Sequence, residues 1–71
     1  MEQKIIDIMQ RVFKVDNVTT ETSQANCEKW DSLHHLNLIV ELEDAFDVEF
    51  EPEEIAEMKS FEAVKRALEQ K

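Results

Sequence analysis

The chain has no glycine in 71 residues and a single proline, Pro52. Tight hairpin turns need residues at positive φ, which glycine enters without steric penalty, so antiparallel strands have no natural turn residue here. What remains is helices joined by loops rich in Asn, Asp, Ser and Thr, whose side chains mimic backbone turns. The composition predicts an all-α fold. Seventy-one residues make one domain, residues 1–71, near the lower limit at which a single core folds without a disulfide or metal. The lone cysteine, Cys27, cannot form an internal bridge.

Apolar spacing divides the chain into four helices. Ile5, Ile6, Met9, Val12 and Phe13 share one face of a helix over about residues 2–14. From Val15 to Trp30 the pattern dissolves into Asp16-Asn17, Thr19-Thr20, Thr22-Ser23 and Asn26, residues that favour caps and turns. A loop this long is normally tied down or functional, and Val18, Ala25 and Trp30 are the expected anchors. Pro52 suits the first position of a short helix continuing over Glu53 to Met58, with Ile55 and Met58 inward. Ser60 caps a last helix in which Phe61, Val64, Ala67 and Leu68 share a face, with Lys65, Arg66 and Lys71 favourably near its negative end. The expectation is a small four-helix bundle, three helices longer and one short, with the long loop between the first and second.

The second helix is the most informative. Asp31 and Ser32 are both good N-cap residues, and Leu33 to Phe46 contains neither Pro nor Gly, which places Ser32 at a helix start with its hydroxyl toward solvent. Drawn at about 100° per residue, the helix has three arcs. Leu38, Ile39, Leu42, Ala45 and Phe46, joined by His35, form the core stripe. His34, Asn37, Glu41 and Asp44 form a polar stripe, and Leu33, Leu36 and Val40 form a second apolar arc turned away from the first. A helix at the edge of a bundle needs only one apolar face, so the second suits contact with a partner.

Charge narrows the partners. The formal net charge is −9, and between Asp31 and Met58 ten carboxylates occur with no Lys or Arg. Such a field repels nucleic acid and anionic membrane surfaces, and it steers toward the domain proteins that present basic patches. No apolar run approaches the about 18 residues of a membrane span. The N-terminus reads as an amphipathic helix and not as a basic segment followed by an apolar run, so a soluble cytoplasmic protein is expected, and it is expected to be a monomer.

Catalytic and metal-binding readings fare poorly. Ser32, His34, His35 and Asp31 supply the residue types of a serine hydrolase, but positions i+2 and i+3 on a helix do not converge on Oγ, and no glycine-rich loop offers an oxyanion site. Cys27 with either histidine makes no better thiol enzyme. Asp47, Glu49, Glu51 and Glu53 alternate like half of a calcium loop, yet Pro52 stands where the turn glycine belongs and Met58 where the last glutamate belongs. Asp31 and His35 alone are too few to hold a metal, and His35 reads as a histidine at the rim of the core. No catalytic or metal-binding residue is expected.

Asp31-Ser32-Leu33, followed by Leu36, Leu38, Glu41, Leu42, Glu43, Asp44 and Phe46, resembles the acyl carrier protein family, including its peptidyl and aminoacyl relatives. Phe46-Asp47, the turn Glu51-Pro52-Glu53-Glu54 and the helix from Ser60 to Leu68 extend the resemblance over nearly the whole chain. It implies a carrier with no activity of its own, with 4'-phosphopantetheine on Ser32 through a phosphodiester and Asp31 and Leu33 flanking the attachment. It further implies docking through Leu33, His34, Leu36, Asn37, Val40, Glu41 and Asp44. The implied partners are a phosphopantetheinyl transferase, a loading ligase or synthetase, and downstream transferases with basic patches. The pathways it implies are fatty acid synthesis, within lipid metabolism, or a specialised polyketide, peptide or cell-envelope route. His34 and Asn37 depart from the family pattern, which commonly has acids at both positions. Without the arm, the same face would make an unmodified acidic interaction module.

Overall fold

The computed structural model describes residues 1–71 and contains four helices: α1 (Glu2–Phe13), α2 (Ser32–Phe46), α3 (Pro52–Glu57) and α4 (Phe61–Glu69). No strands form, and the one β-type contact is an isolated antiparallel bridge between Ser23 and Ser60. The all-α bundle and its three-plus-one helix pattern are as expected from the sequence.

Each helix ends where its residues require. α1 and α2 close on Lys14 and Asp47, both left-handed with φ of 58° and 55°. That conformation is usually taken by glycine, and a chain without glycine must place other residues there, at about 1–2 kcal/mol for a residue with a Cβ. α3 begins at Pro52, whose missing N–H is no loss at a first helical position. α4 starts as read from the sequence, with the Ser60 hydroxyl accepting from the Ala63 N–H at 3.1 Å.

The core draws on every segment. Ile5, Ile8, Met9 and Phe13 of α1 meet Leu38, Ile39 and Leu42 of α2 and Phe61, Val64 and Leu68 of α4, all buried. Each such side chain contributes roughly 1.5–3 kcal/mol relative to exposure. The buried face of α1 is wider than the sequence pattern, because Ile8 is buried while Ile6 and Val12 are half-buried at the edges. α3 buries no residue fully. It is held instead by half-buried Ile55 and by Phe50 and Met58 on either side, both buried.

The long loop is anchored, though not where expected throughout. Val18 and Trp30 are buried, whereas Ala25 is exposed in a turn, so that expectation is corrected. Its place is taken by Thr22, whose carbonyl accepts from the Phe61 N–H at 2.8 Å, while the Gln24 N–H donates to the Lys59 carbonyl at 2.9 Å. A backbone pair of this kind leaves no apolar signal in the sequence. Trp30 packs on Phe13 with ring centroids 5.1 Å apart, which fixes the last turn of the loop directly before α2.

Candidate functional site

The start of α2 is built from three consecutive residues with separate tasks. Trp30 is buried, Asp31 is the N-cap, and Ser32 is the first helical residue. One Asp31 carboxylate oxygen accepts from the His34 backbone N–H at 2.9 Å and lies 2.8 Å from His34 Nδ1. The backbone N–H first, and the imidazole second, hold the Asp31 carboxyl below its usual range by stabilising the anion.

Because Asp31 performs the capping, the Ser32 hydroxyl is left without a hydrogen bond inside the chain and is exposed. The N–H groups of Ser32 and Leu33 also lack acceptors within the protein. An exposed, unbonded hydroxyl thus stands beside two free donors at the positive end of a 15-residue helix. That arrangement suits a phosphate ester, which the helix end stabilises by about 0.3–1 kcal/mol.

His35 secures this end from below. Trp30 Nε1–H donates to His35 Nδ1 at 2.9 Å, and His35 Nε2 lies 2.8 Å from the Ile55 carbonyl. Since Nδ1 accepts, the ring proton sits on Nε2 and donates to that carbonyl. One neutral imidazole therefore links the loop, α2 and α3. The sequence placed His35 at the rim of the core but gave no sign of either partner.

Beyond Ser32, Leu33, Leu36 and Val40 are 66%, 58% and 62% exposed, which makes them the large apolar side chains that α2 turns outward. They lie beside Asn37 and Asp44, both exposed, with half-buried His34 and Glu41 farther round the same side. Glu41 is not free: Arg11 of α1 reaches across to it at 2.8 Å. Glu43 is occupied as well, accepting from the Phe50 N–H at 2.9 Å. The structure therefore brings the expected residues onto one surface and adds Arg11, which the sequence pattern did not associate with it. An arginine on the polar side of α1 carries no mark of a distant partner.

Cys27, half-buried in the loop, and the alternating acids after α2 assemble nothing comparable. No three His, Cys, Asp or Glu side chains are placed to share a metal. No helix is long and apolar enough to cross a membrane.

Comparison with known proteins places the chain in a family. A family model described as the phosphopantetheine attachment site matches residues 3–68. Among solved structures, a holo acyl carrier protein from Geobacter metallireducens is 32% identical, with a TM-score of 0.88 over 99% of this chain and 83% of that one. A Mycobacterium tuberculosis protein assigned to the acyl carrier proteins is 27% identical, with a TM-score of 0.87 over 97% of this chain and 95% of that one. No curated protein sequence matches significantly. The chain belongs to the phosphopantetheine-binding family of acyl carrier proteins. It is a carrier domain and not an enzyme, and its cofactor is 4'-phosphopantetheine.

Proposed function

We propose that Ser32 is the attachment point of the phosphopantetheine arm and that the outward face of α2 is where partner enzymes dock. The observation that carries this reading is the Ser32 hydroxyl, exposed and unbonded next to the free N–H groups of Ser32 and Leu33. Ser32 Oγ would attack the β-phosphorus of coenzyme A, forming the serine phosphodiester as the phosphoanhydride breaks and adenosine 3',5'-bisphosphate departs, with the serine proton passing to a base of the transferase. Asp31 keeps the helix end in shape through His34, and Leu33 flanks the attachment with an exposed apolar side chain. When bound, the arm supplies a terminal thiol that holds an acyl or aminoacyl group as a thioester. Tethering raises the local concentration of that group at each partner's active site.

The proposed docking face consists of Leu33, Leu36 and Val40, with His34, Asn37, Glu41 and Asp44 beside them. Apolar contact gives affinity, and the carboxylates speed encounter with basic patches on the transferase, the loading ligase or synthetase and the downstream transferases. His34 and Asn37 lower the negative charge close to the arm, which favours service in a specialised pathway over primary fatty acid synthesis. Asp31 already occupies the His34 ring, so that side chain is committed to the helix end.

Incubation with coenzyme A and a broad-specificity phosphopantetheinyl transferase, followed by intact-mass measurement, tests the attachment. One arm per chain is expected. Wild-type protein that stays folded and gains no mass contradicts the reading and favours an unmodified interaction module.

A further inference from the structure

We propose that Arg11 is a specificity-determining member of the docking face, which cancels the charge of Glu41 and selects partners carrying an acidic group opposite α1. This inference rests on the carrier reading above. Three of the four carboxylates from the cap to the end of α2 already have partners inside the chain. Asp31 is held by His34, Glu41 by Arg11 and Glu43 by the Phe50 N–H, which leaves Asp44 without one.

Of these contacts, the Arg11–Glu41 pair alone brings a full positive charge from another helix onto the face. Its Nη2 to Oε1 distance is 2.8 Å, with the arginine side chain 65% exposed and the glutamate 44% exposed. At such exposure the pair adds little to folding stability. Its larger effect is on the surface, because a guanidinium carries a full positive charge and presents several donors at once. On the polar side of Leu33, Leu36 and Val40, the charge pattern therefore runs from neutral Asn37, through a compensated Glu41 beside Arg11, to a free Asp44.

A basic patch complementary to a uniformly acidic helix would meet Arg11 with like charge. The partner that fits presents an apolar centre for Leu36 and Val40 and a Lys or Arg for Asp44. Against Arg11 it places an Asp or Glu. Asp44 lies twelve positions beyond Ser32, about 18 Å along the helix axis, so the cationic contact falls away from the arm.

The test is a double-variant cycle on the full chain, with kcat/KM for carrier measured in arm transfer by a transferase whose carrier-binding surface is basic. The variants are Arg11→Ala, Arg11→Glu, Glu41→Gln and Arg11→Ala with Glu41→Gln, each checked for helicity. At low salt Arg11→Ala raises kcat/KM about two- to fivefold and Arg11→Glu raises it further, with the gains shrinking as salt screens them. Glu41→Gln lowers the rate more in the Arg11→Ala background than in wild type. Equal effects of Glu41→Gln in both backgrounds, or no gain from Arg11→Ala, overturn the proposal while leaving the carrier reading intact. Absence of mass gain in every variant overturns the carrier reading and this inference together.

Discussion

Two serines stand at helix starts in this protein, and their neighbours leave one hydroxyl bonded and the other free. Ser60 is the N-cap of α4, half-buried, with its hydroxyl committed to the Ala63 N–H and its backbone paired with Ser23. Ser32 follows a capping aspartate, so its hydroxyl is spared and the first turn keeps two free N–H donors. Both residues share an amino-acid type and a place near a helix N-terminus. A shift of one position relative to the cap separates a structural serine from one available for covalent chemistry.

The largest expected effect comes from removing what holds the Ser32 end in place. Trp30→Ala deletes a buried ring against Phe13 and the donor to His35, a loss of about 3–5 kcal/mol in a domain whose total stability is roughly 4–11 kcal/mol. Urea unfolding should show a protein at the edge of stability, while Trp30→Phe recovers much of the loss. A Trp30→Ala midpoint equal to wild type would remove Trp30 from its anchoring role.

Next in size is Ser60→Ala, expected to cost about 0.5–2 kcal/mol through the lost cap, with arm transfer to the folded protein retained. Asp31 offers the matching test at the other serine. Asp31→Ala lowers the melting temperature, and Asp31→Asn, which preserves the acceptor without the charge, lowers it less. If both variants melt alike, capping is not what Asp31 contributes.

The smallest effect is the dependence on pH. Glu2 is held below its ordinary value of 4.5 by hydrogen bonding and charge from Lys65, Asp31 below 3.8 by the His34 N–H and ring, and Glu54 below 4.5 by the Glu51 N–H and Lys71. A carboxyl with a depressed folded pKa adds stability that is fully present above its unfolded value and is lost as pH falls through the folded one. Acidification below 4.5 should therefore lower the melting temperature progressively. Glu54→Gln should flatten that decline slightly. Lys65, raised above 10.5 by Glu2, adds stability that is lost as pH rises through its folded value. A melting temperature that does not change on acidification would show that these contacts do not persist in solution.

Much of this organisation is written in local patterns. The missing glycines, the period of the apolar residues and the Ser60 cap predict the helices, since each depends on residues near in sequence. The exposed arc of Leu33, Leu36 and Val40 is visible on the wheel for the same reason. Contacts between distant polar groups are not visible in this way. Arg11 to Glu41, His35 to the Ile55 carbonyl and Thr22 to Phe61 span 20 or more positions and follow no period. Ala25 misled because a small apolar residue fits a surface turn as readily as a core. The choice between Asp31 and Ser32 as cap was likewise open in the sequence, since both are good caps; the structure gives the position to Asp31.

The proposal that Ser32 carries the arm rests on a hydroxyl that is exposed and that Asp31 relieves of capping. It is tested most directly by loading the wild-type chain from coenzyme A, weighing it intact and locating the added group by fragmentation. Ser32→Ala, Ser23→Ala and Ser60→Ala are run beside it. One phosphopantetheine per chain is expected, placed on Ser32, absent from Ser32→Ala and present in the other two variants. An arm found on Ser23 or Ser60, or retained by Ser32→Ala, would contradict it.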